Sequence, residues 1–180
     1  LLILSQPGME GGNAFADVIS GKVNPSGKLV DSWAYRYEDY PNAASFSHNN
    51  GNVEKEFYAE GIYVGYRYFD TFAVPVRYGF GYGLSYTTFE IKEKNIQCDN
   101  EHNIQVSVSV KNTGDTAGKE VVQVYVSAPY TSGGIEKASQ VLVGYAKTDL
   151  LQPGESQTVT VSFNVQDMAS YDYNDANGDG

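Results

Sequence analysis

Residues His102–Gly114 read HNIQVSVSVKNTG. Ile104, Val106, Val108 and Val110 alternate with Gln105, Ser107, Ser109 and Lys111. A period of two puts the apolar set on one face of a strand and the polar set on the other, the pattern of an antiparallel strand with one face buried. NTGDTAGK then breaks the pattern as a hairpin would. Working outward, TTFEIKEKNIQ precedes this strand, while EVVQVYVSAP, SQVLVGYAK and TVTVSFNV follow it. In the last of these, Val159, Val161, Phe163 and Val165 alternate again. Five short strands at roughly ten-residue spacing indicate an antiparallel β-sandwich of the immunoglobulin or fibronectin type III-like class. About seven strands complete such a sandwich. The sequence is therefore expected to hold an incomplete one, with a sixth strand starting at MASYDY and the last strand or strands missing. The unpaired edge invites pairing with another chain.

Toward the amino terminus the character changes. Leu1–Leu4 is a continuous apolar run, as in a strand buried on both faces. SQPGMEGG interrupts it. Phe15, Val18 and Ile19 then fall at helical spacing, with Glu10 or Asn13 placed to cap the helix and Gly21 to end it. This strand–loop–helix reads as the remnant of an α/β sandwich domain. From Val30 to Lys55 the pattern is irregular, consistent with a wrapping segment. The expected divisions are 1–56 for the α/β remnant with its wrapping loop, 57–86 for an aromatic and glycine-rich linker, and 87–180 for the fibronectin-like domain.

The linker is the densest part of the sequence. Phe57–Phe89 holds 12 of the chain's 24 aromatic residues. In YGFGYGLSY the glycines Gly79, Gly81 and Gly83 alternate with Tyr78, Phe80 and Tyr82. An extended backbone would place the rings on one face and let another backbone approach the other. A packed seam is the simpler reading, and a sugar-stacking platform is the competing one.

Composition removes several classes of function. The 180 residues carry a formal net charge of -10, which disfavours a phosphate backbone as partner. A single cysteine, Cys98, makes an internal disulfide impossible. With only His48 and His102 beside it, a Cys/His metal site is not expected. Cys98 reads as a small buried or half-buried strand residue and not as a nucleophile. Asp175, Asn177 and Asp179 in DANGDG resemble the start of a calcium loop, but a hairpin turn is the simpler reading. No apolar run is long enough for a membrane helix, and no targeting signal appears, so the compartment is unspecified. Both ends read as cuts through a longer protein.

Three segments together carry a family resemblance: PGMEGGNAFADVISGKVNPSGKL, YAEGIYVGYRYFDTF with VRYGFGYGLSYTTF, and VKNTGDTAGKEVVQVYVS with VLVGYAKTDLLQPGES. In this order they resemble glycoside hydrolase family 3, many of whose members are β-glucosidases. The resemblance implies a barrel domain supplying a nucleophilic aspartate, an α/β sandwich domain that often supplies the acid/base carboxylate, and a fibronectin-like domain packed alongside. It implies that this chain is the end of the second and most of the third. The nucleophile's motif is absent, and the acid/base lies upstream of PGMEGG, so no residue here is assigned a catalytic role and no cofactor is expected. GKLVDSWA and the EDYPNAASFSHNNGNVEKEFY insert resemble a subgroup from Gram-positive gut bacteria, some members of which place the barrel after the fibronectin-like domain.

The implied partners are a β-linked oligosaccharide or glucoside, the catalytic barrel, and a second copy docked through the free sheet edge or the exposed α/β remnant. Three residues are candidates for substrate contact. Glu10 sits in a loop where α/β sheets bind ligands, although it also suits the helix N-terminus. Glu60 and Arg67 fall in the aromatic linker, where Arg67 could instead form a bidentate pair with Asp70 or Glu60. The alternative to an enzyme fragment is a free-standing fibronectin-like module for carbohydrate binding or adhesion.

Overall fold

The computed structural model describes residues 6–176 and 178. The strand expected at Leu1–Leu4 lies outside the described residues, as do Asn177 and Asp179 of DANGDG.

The carboxy-terminal half is a five-stranded antiparallel sandwich. β3 (Phe89–Cys98), β4 (Asn103–Asn112) and β7 (Ser156–Asn164) form one sheet in the order β3-β4-β7. β5 (Val121–Val126) and β6 (Val141–Lys147) form the other. The alternation of the sequence becomes the alternation of burial. Val106, Val108 and Val110 face inward from β4, and Val159, Val161 and Phe163 do so from β7. They meet in register, with Val106 opposite Val161 and Val108 opposite Val159. Val122 and Leu151 complete this core. Gly144 on β6 permits the two sheets to close, since a β-carbon there would sit 2.5 Å from Val161 Cγ1.

The outer strand β3 is almost wholly exposed, with only Phe89 turned partly inward, so Cys98 at its end lies on the strand but is exposed and not buried or half-buried as expected. Its free edge carries Glu90, Lys92, Glu93 and Lys94, and a register shift falls between Glu93 and Asn95. Charge and a bulge are devices that blunt a sheet edge against pairing. No sixth strand forms at MASYDY. Val165–Met168 is instead a short 3-10 turn, capped by Asn164, whose side chain accepts from Gln166 N.

One buried polar side chain organises the hairpin after β4. Asn112 is fully buried. Its Nδ2 donates to the carbonyls of Thr116 (2.8 Å) and Leu151 (2.9 Å), while its Oδ1 accepts from Thr87 Oγ1 (2.7 Å) and Gly114 N (3.1 Å). Every polar atom of the amide is thus engaged, which is what makes its burial tolerable.

The amino-terminal half is built differently. α1 spans Gly11–Ile19, and Gly21 closes it with a φ of 77° and an N–H bonded to Val18 O. The chain then runs through β1 (Trp33–Ala34) and 3-10 turns at Tyr37–Asp39 and Ser47–Asn50, the irregular course expected of this segment. β1 pairs antiparallel with β2 (Val76–Tyr78), and the pairing continues where Leu29 N donates to Tyr82 O and Gly81 N to Leu29 O.

The linker is not extended throughout. Tyr66–Thr71 forms a helix, α2, entered through Gly65 at a φ of 57°. A residue with a β-carbon is strained at that angle. Tyr68 and Phe72, four residues apart, bring their rings to 5.2 Å between centroids, the side-chain neighbourhood that one helical turn creates. Phe69 points inward and is 2% exposed.

Candidate functional site

Two features concentrate chemistry in this chain: a seam between the halves, and a groove beside it.

The seam is made largely by the NPSGK turn. Asn24 Nδ2 donates to Ala117 O (3.0 Å), and its Oδ1 accepts from Tyr86 N (2.8 Å) and Ser85 Oγ (3.1 Å). Lys28 pairs with Glu120 at 2.6 Å, both side chains being largely buried. Lys147 Nζ reaches Ser26 O at 3.1 Å, and Tyr86 OH reaches Val18 O at 2.7 Å. Glycines let the layers close. A β-carbon on Gly81, which has a φ of 80°, would collide with the Gln123 side chain on β5, and one on Gly83 would lie 2.5 Å from Gly27 O. The rings follow the same line: Tyr66 packs on Phe80 (4.8 Å) and edge-on against Tyr125 of β5 (5.8 Å). The glycine and aromatic alternation therefore serves close packing across the halves, although a turn at Phe80–Gly81 replaces the continuous extended run that the alternation suggested.

α2 is tied to the same sheet. Tyr66 OH accepts from Leu142 N (2.8 Å), Thr71 Oγ1 accepts from Ser139 N (2.9 Å), and Asp70 Oδ2 accepts from Gln140 Nε2 (2.8 Å). Nearby, Tyr63 OH donates to Glu136 Oε2 at 2.5 Å. Burial, first, and then the hydrogen bond to the Glu136 carboxylate and its negative charge push the Tyr63 hydroxyl up to about 12.

The groove lies on the amino-terminal half and has a volume of about 460 Å³. Trp33, Tyr37, Tyr40 and Phe46 line it together with the carboxylates Asp31 and Glu60. Tyr40 is part of its frame: its hydroxyl donates to Ser32 O and accepts from Ala34 N, both at 3.2 Å, and its ring stands edge-on to Phe69 at 5.5 Å. Trp33 is braced by Tyr78, ring to ring at 6.1 Å. The volume and the aromatic lining with a few polar groups are those of a small-molecule site.

The three substrate-contact candidates are not brought together. Glu10 is exposed at the start of α1 and makes no bond to the helix amides; its Oε2 accepts instead from Asn13 Nδ2 at 2.7 Å. Arg67 lies on α2 with its guanidinium carbon 6.0 Å from the Tyr66 ring centroid. Among the described residues it forms no ion pair with Asp70 or Glu60, and Asp70 is used by Gln140. Glu60 alone of the three lines the groove. Asp31 and Trp33 were missed from sequence, because nothing in GKLVDSWA distinguishes a lining residue from a strand residue. Asn24 and Lys28 were visible only as a turn motif. Among the described residues no group of three or more His, Cys, Asp or Glu could hold a metal, and no helix is long and apolar enough to cross a membrane.

Comparison with known proteins adds to this geometry. Residues 1–66 match the family model of the glycosyl hydrolase family 3 C-terminal domain, and residues 120–177 match that of the fibronectin type III-like domain. The chain is 48% identical to beta-glucosidase A of Butyrivibrio fibrisolvens, an alignment covering 96% of this chain and 22% of that protein. It is 44% identical to a beta-glucosidase of the yeast Kluyveromyces marxianus, over 91% of this chain and 19% of the relative. The structure superposes on that of a beta-glucosidase from Paenibacillus barengoltzii with a TM-score of 0.85 and 46% identity, covering 93% of this chain and 18% of the other. The chain thus spans about a fifth of the length of the curated relatives it matches. Bacterial and fungal proteins are both represented.

Proposed function

The chain carries the C-terminal domain of glycosyl hydrolase family 3 followed by a fibronectin type III-like domain, and from that premise we propose that it is the supporting part of a β-glucosidase-like enzyme. The enzyme hydrolyses O-glycosyl bonds at the non-reducing ends of β-glucosides or related glycans with retention. Its nucleophile and acid/base, the two carboxylates that such chemistry needs, lie outside this chain.

The observation that carries the reading is the match of nearly all of this chain to about a fifth of proteins that are beta-glucosidases. The seam supports it. Ion pair, amide bridges and ring contacts bind the α/β remnant (1–56) and the linker (57–86) to the fibronectin-like domain (87–180), so that a catalytic barrel docked on the first is held in place by the last. Exposed apolar side chains such as Met9, Val30, Val53 and Tyr58 on the amino-terminal half suit contact with that barrel, or with a second copy of the chain. GKLVDSWA supports a bacterial source. Glu60, through the groove, is the candidate nearest to substrate; Glu10 and Arg67 are retained as candidates at the margin. A free-standing binding module is disfavoured by the α/β-domain match over residues 1–66.

The test is hydrolysis of p-nitrophenyl β-glucoside. This chain alone should give no turnover, and supplying the catalytic part in trans or in one polypeptide should give it. Turnover by this chain alone would overturn the proposal.

A further inference from the structure

We infer that the groove framed by Trp33, Tyr37, Tyr40 and Phe46 is a saccharide-binding site that takes a β-glucoside or short β-glucan, with Asp31 and Glu60 receiving its hydroxyls. The inference deepens the glycosidase reading and rests on it for the class of sugar.

Three observations carry it. The lining rings are open to ligand, with Trp33 37% exposed, Tyr37 50% and Phe46 63%, and two of the four are braced from behind, Trp33 by Tyr78 and Tyr40 by Phe69, which is itself 2% exposed. The two braced rings, Trp33 and Tyr40, lose little freedom when a sugar's C–H face settles on them. Next, the Asp31 and Glu60 carboxylates make no hydrogen bond or ion pair among the described residues. Each carboxylate therefore offers its acceptor sites, and a sugar hydroxyl is a donor of the right kind. Finally, the size is right, since about 460 Å³ falls within the ordinary range of small-ligand sites.

A divalent cation fits less well. Asp31 and Glu60 are the two carboxylates of the lining, against the six to eight oxygens of a calcium site, and most of the rest of the wall is apolar ring surface with neutral hydroxyls. Nucleotides are disfavoured, because the charges at the site are negative and would repel phosphate.

The chain provides its own reporter, because Trp33 is its single tryptophan. Titration of this chain with cellobiose should change Trp33 fluorescence saturably. Glu60→Gln should weaken the apparent affinity about tenfold, the loss expected for a hydrogen bond to a charged acceptor. Tyr37→Ala, at an exposed position, should weaken it as well, while Tyr145→Ser on the outer face of β6 should not. Far-UV circular dichroism checks that each variant is folded. No saturable change, a cellobiose response equal in wild type, Glu60→Gln and Tyr37→Ala, or a response to calcium chloride or choline chloride but not to cellobiose, would each overturn the inference. None of these would touch the parent reading, which stands or falls on p-nitrophenyl β-glucoside turnover with the catalytic part supplied.

Discussion

The two halves of this chain solve the problem of stability in opposite ways. The sandwich carries its own core: valines from β4 and β7 meet in register, Leu151 and Phe163 join them, and Asn112 satisfies a hairpin from inside. The amino-terminal half has aromatic residues in quantity and encloses few of them. Phe69 is buried, but Met9, Tyr35, Val53, Phe57 and Tyr58 are exposed. Apolar content and apolar burial are thus separate properties. A segment rich in rings remains open when the surface that would cover it is not its own.

That contrast can be broken most forcefully in the sandwich. Phe163→Ala should cost about 3–5 kcal/mol, because it removes a large ring from a core that has little room to collapse; urea denaturation followed by circular dichroism checks it. A loss below about 1 kcal/mol would mean that the sandwich core is less tightly built than its register implies. Asn112→Ala should cost about 2–3 kcal/mol by the same measurement. It strands the Thr87 hydroxyl and the Leu151 carbonyl in the interior and takes the partner from the half-buried Gly114 N–H and Thr116 carbonyl. Gly81→Ala sits between the halves. Its positive φ and the approach of Gln123 should cost about 1–2 kcal/mol, and limited proteolysis should cut the linker faster while β4 and β7 stay protected.

Tyr63 sharpens the comparison through pH. Its folded value, about 12, lies above the ordinary 10.0, so the neutral phenol is favoured by folding. The corresponding stability is complete below pH 10 and is lost as pH rises from about 10 through 12. The difference in denaturation midpoint between wild type and Tyr63→Phe should therefore shrink across that interval; a difference that is flat with pH would show that neither the burial of the hydroxyl nor its contact with Glu136 survives in solution. The smallest effect belongs to the open surface. Tyr58→Ser, at a position 89% exposed, should change stability by less than about 0.5 kcal/mol, yet it should weaken association with the catalytic part in a binding assay.

The same contrast explains what the sequence disclosed. β4 and β7 are legible because one face is buried and the other is wet, and that difference is written residue by residue. α1 is legible because Phe15, Val18 and Ile19 keep a helical stripe and Gly21 ends it. α2 is not, because YRYFDT is six residues long and its aromatics, Tyr66, Tyr68 and Phe69, fall at spacings of two and one and so display no helical period. The sixth strand was misread for the reverse reason. MASYDY has apolar residues, but Asn164 caps a 3-10 turn at Val165–Met168 and turns the chain away. As for the site, Glu60 was singled out from its place in the aromatic linker, while Asp31 and Trp33 were not. They join Glu60 only after β1 pairs with β2, a contact across more than forty residues that no local pattern encodes.

The seam has one further consequence, which concerns how the protein can vary. Asn24 Nδ2, Tyr86 OH and Lys147 Nζ all donate to main-chain carbonyls, at Ala117, Val18 and Ser26. A carbonyl is supplied by any amino acid. The grammar of this joint is therefore one-sided: the donors must be kept, whereas the side chains at the three receiving positions are at liberty to drift. Coupled substitution, the usual trace of two surfaces evolving together, should be weak across these three bonds and stronger at Lys28 with Glu120, Asp70 with Gln140 and Tyr63 with Glu136, where both partners are side chains.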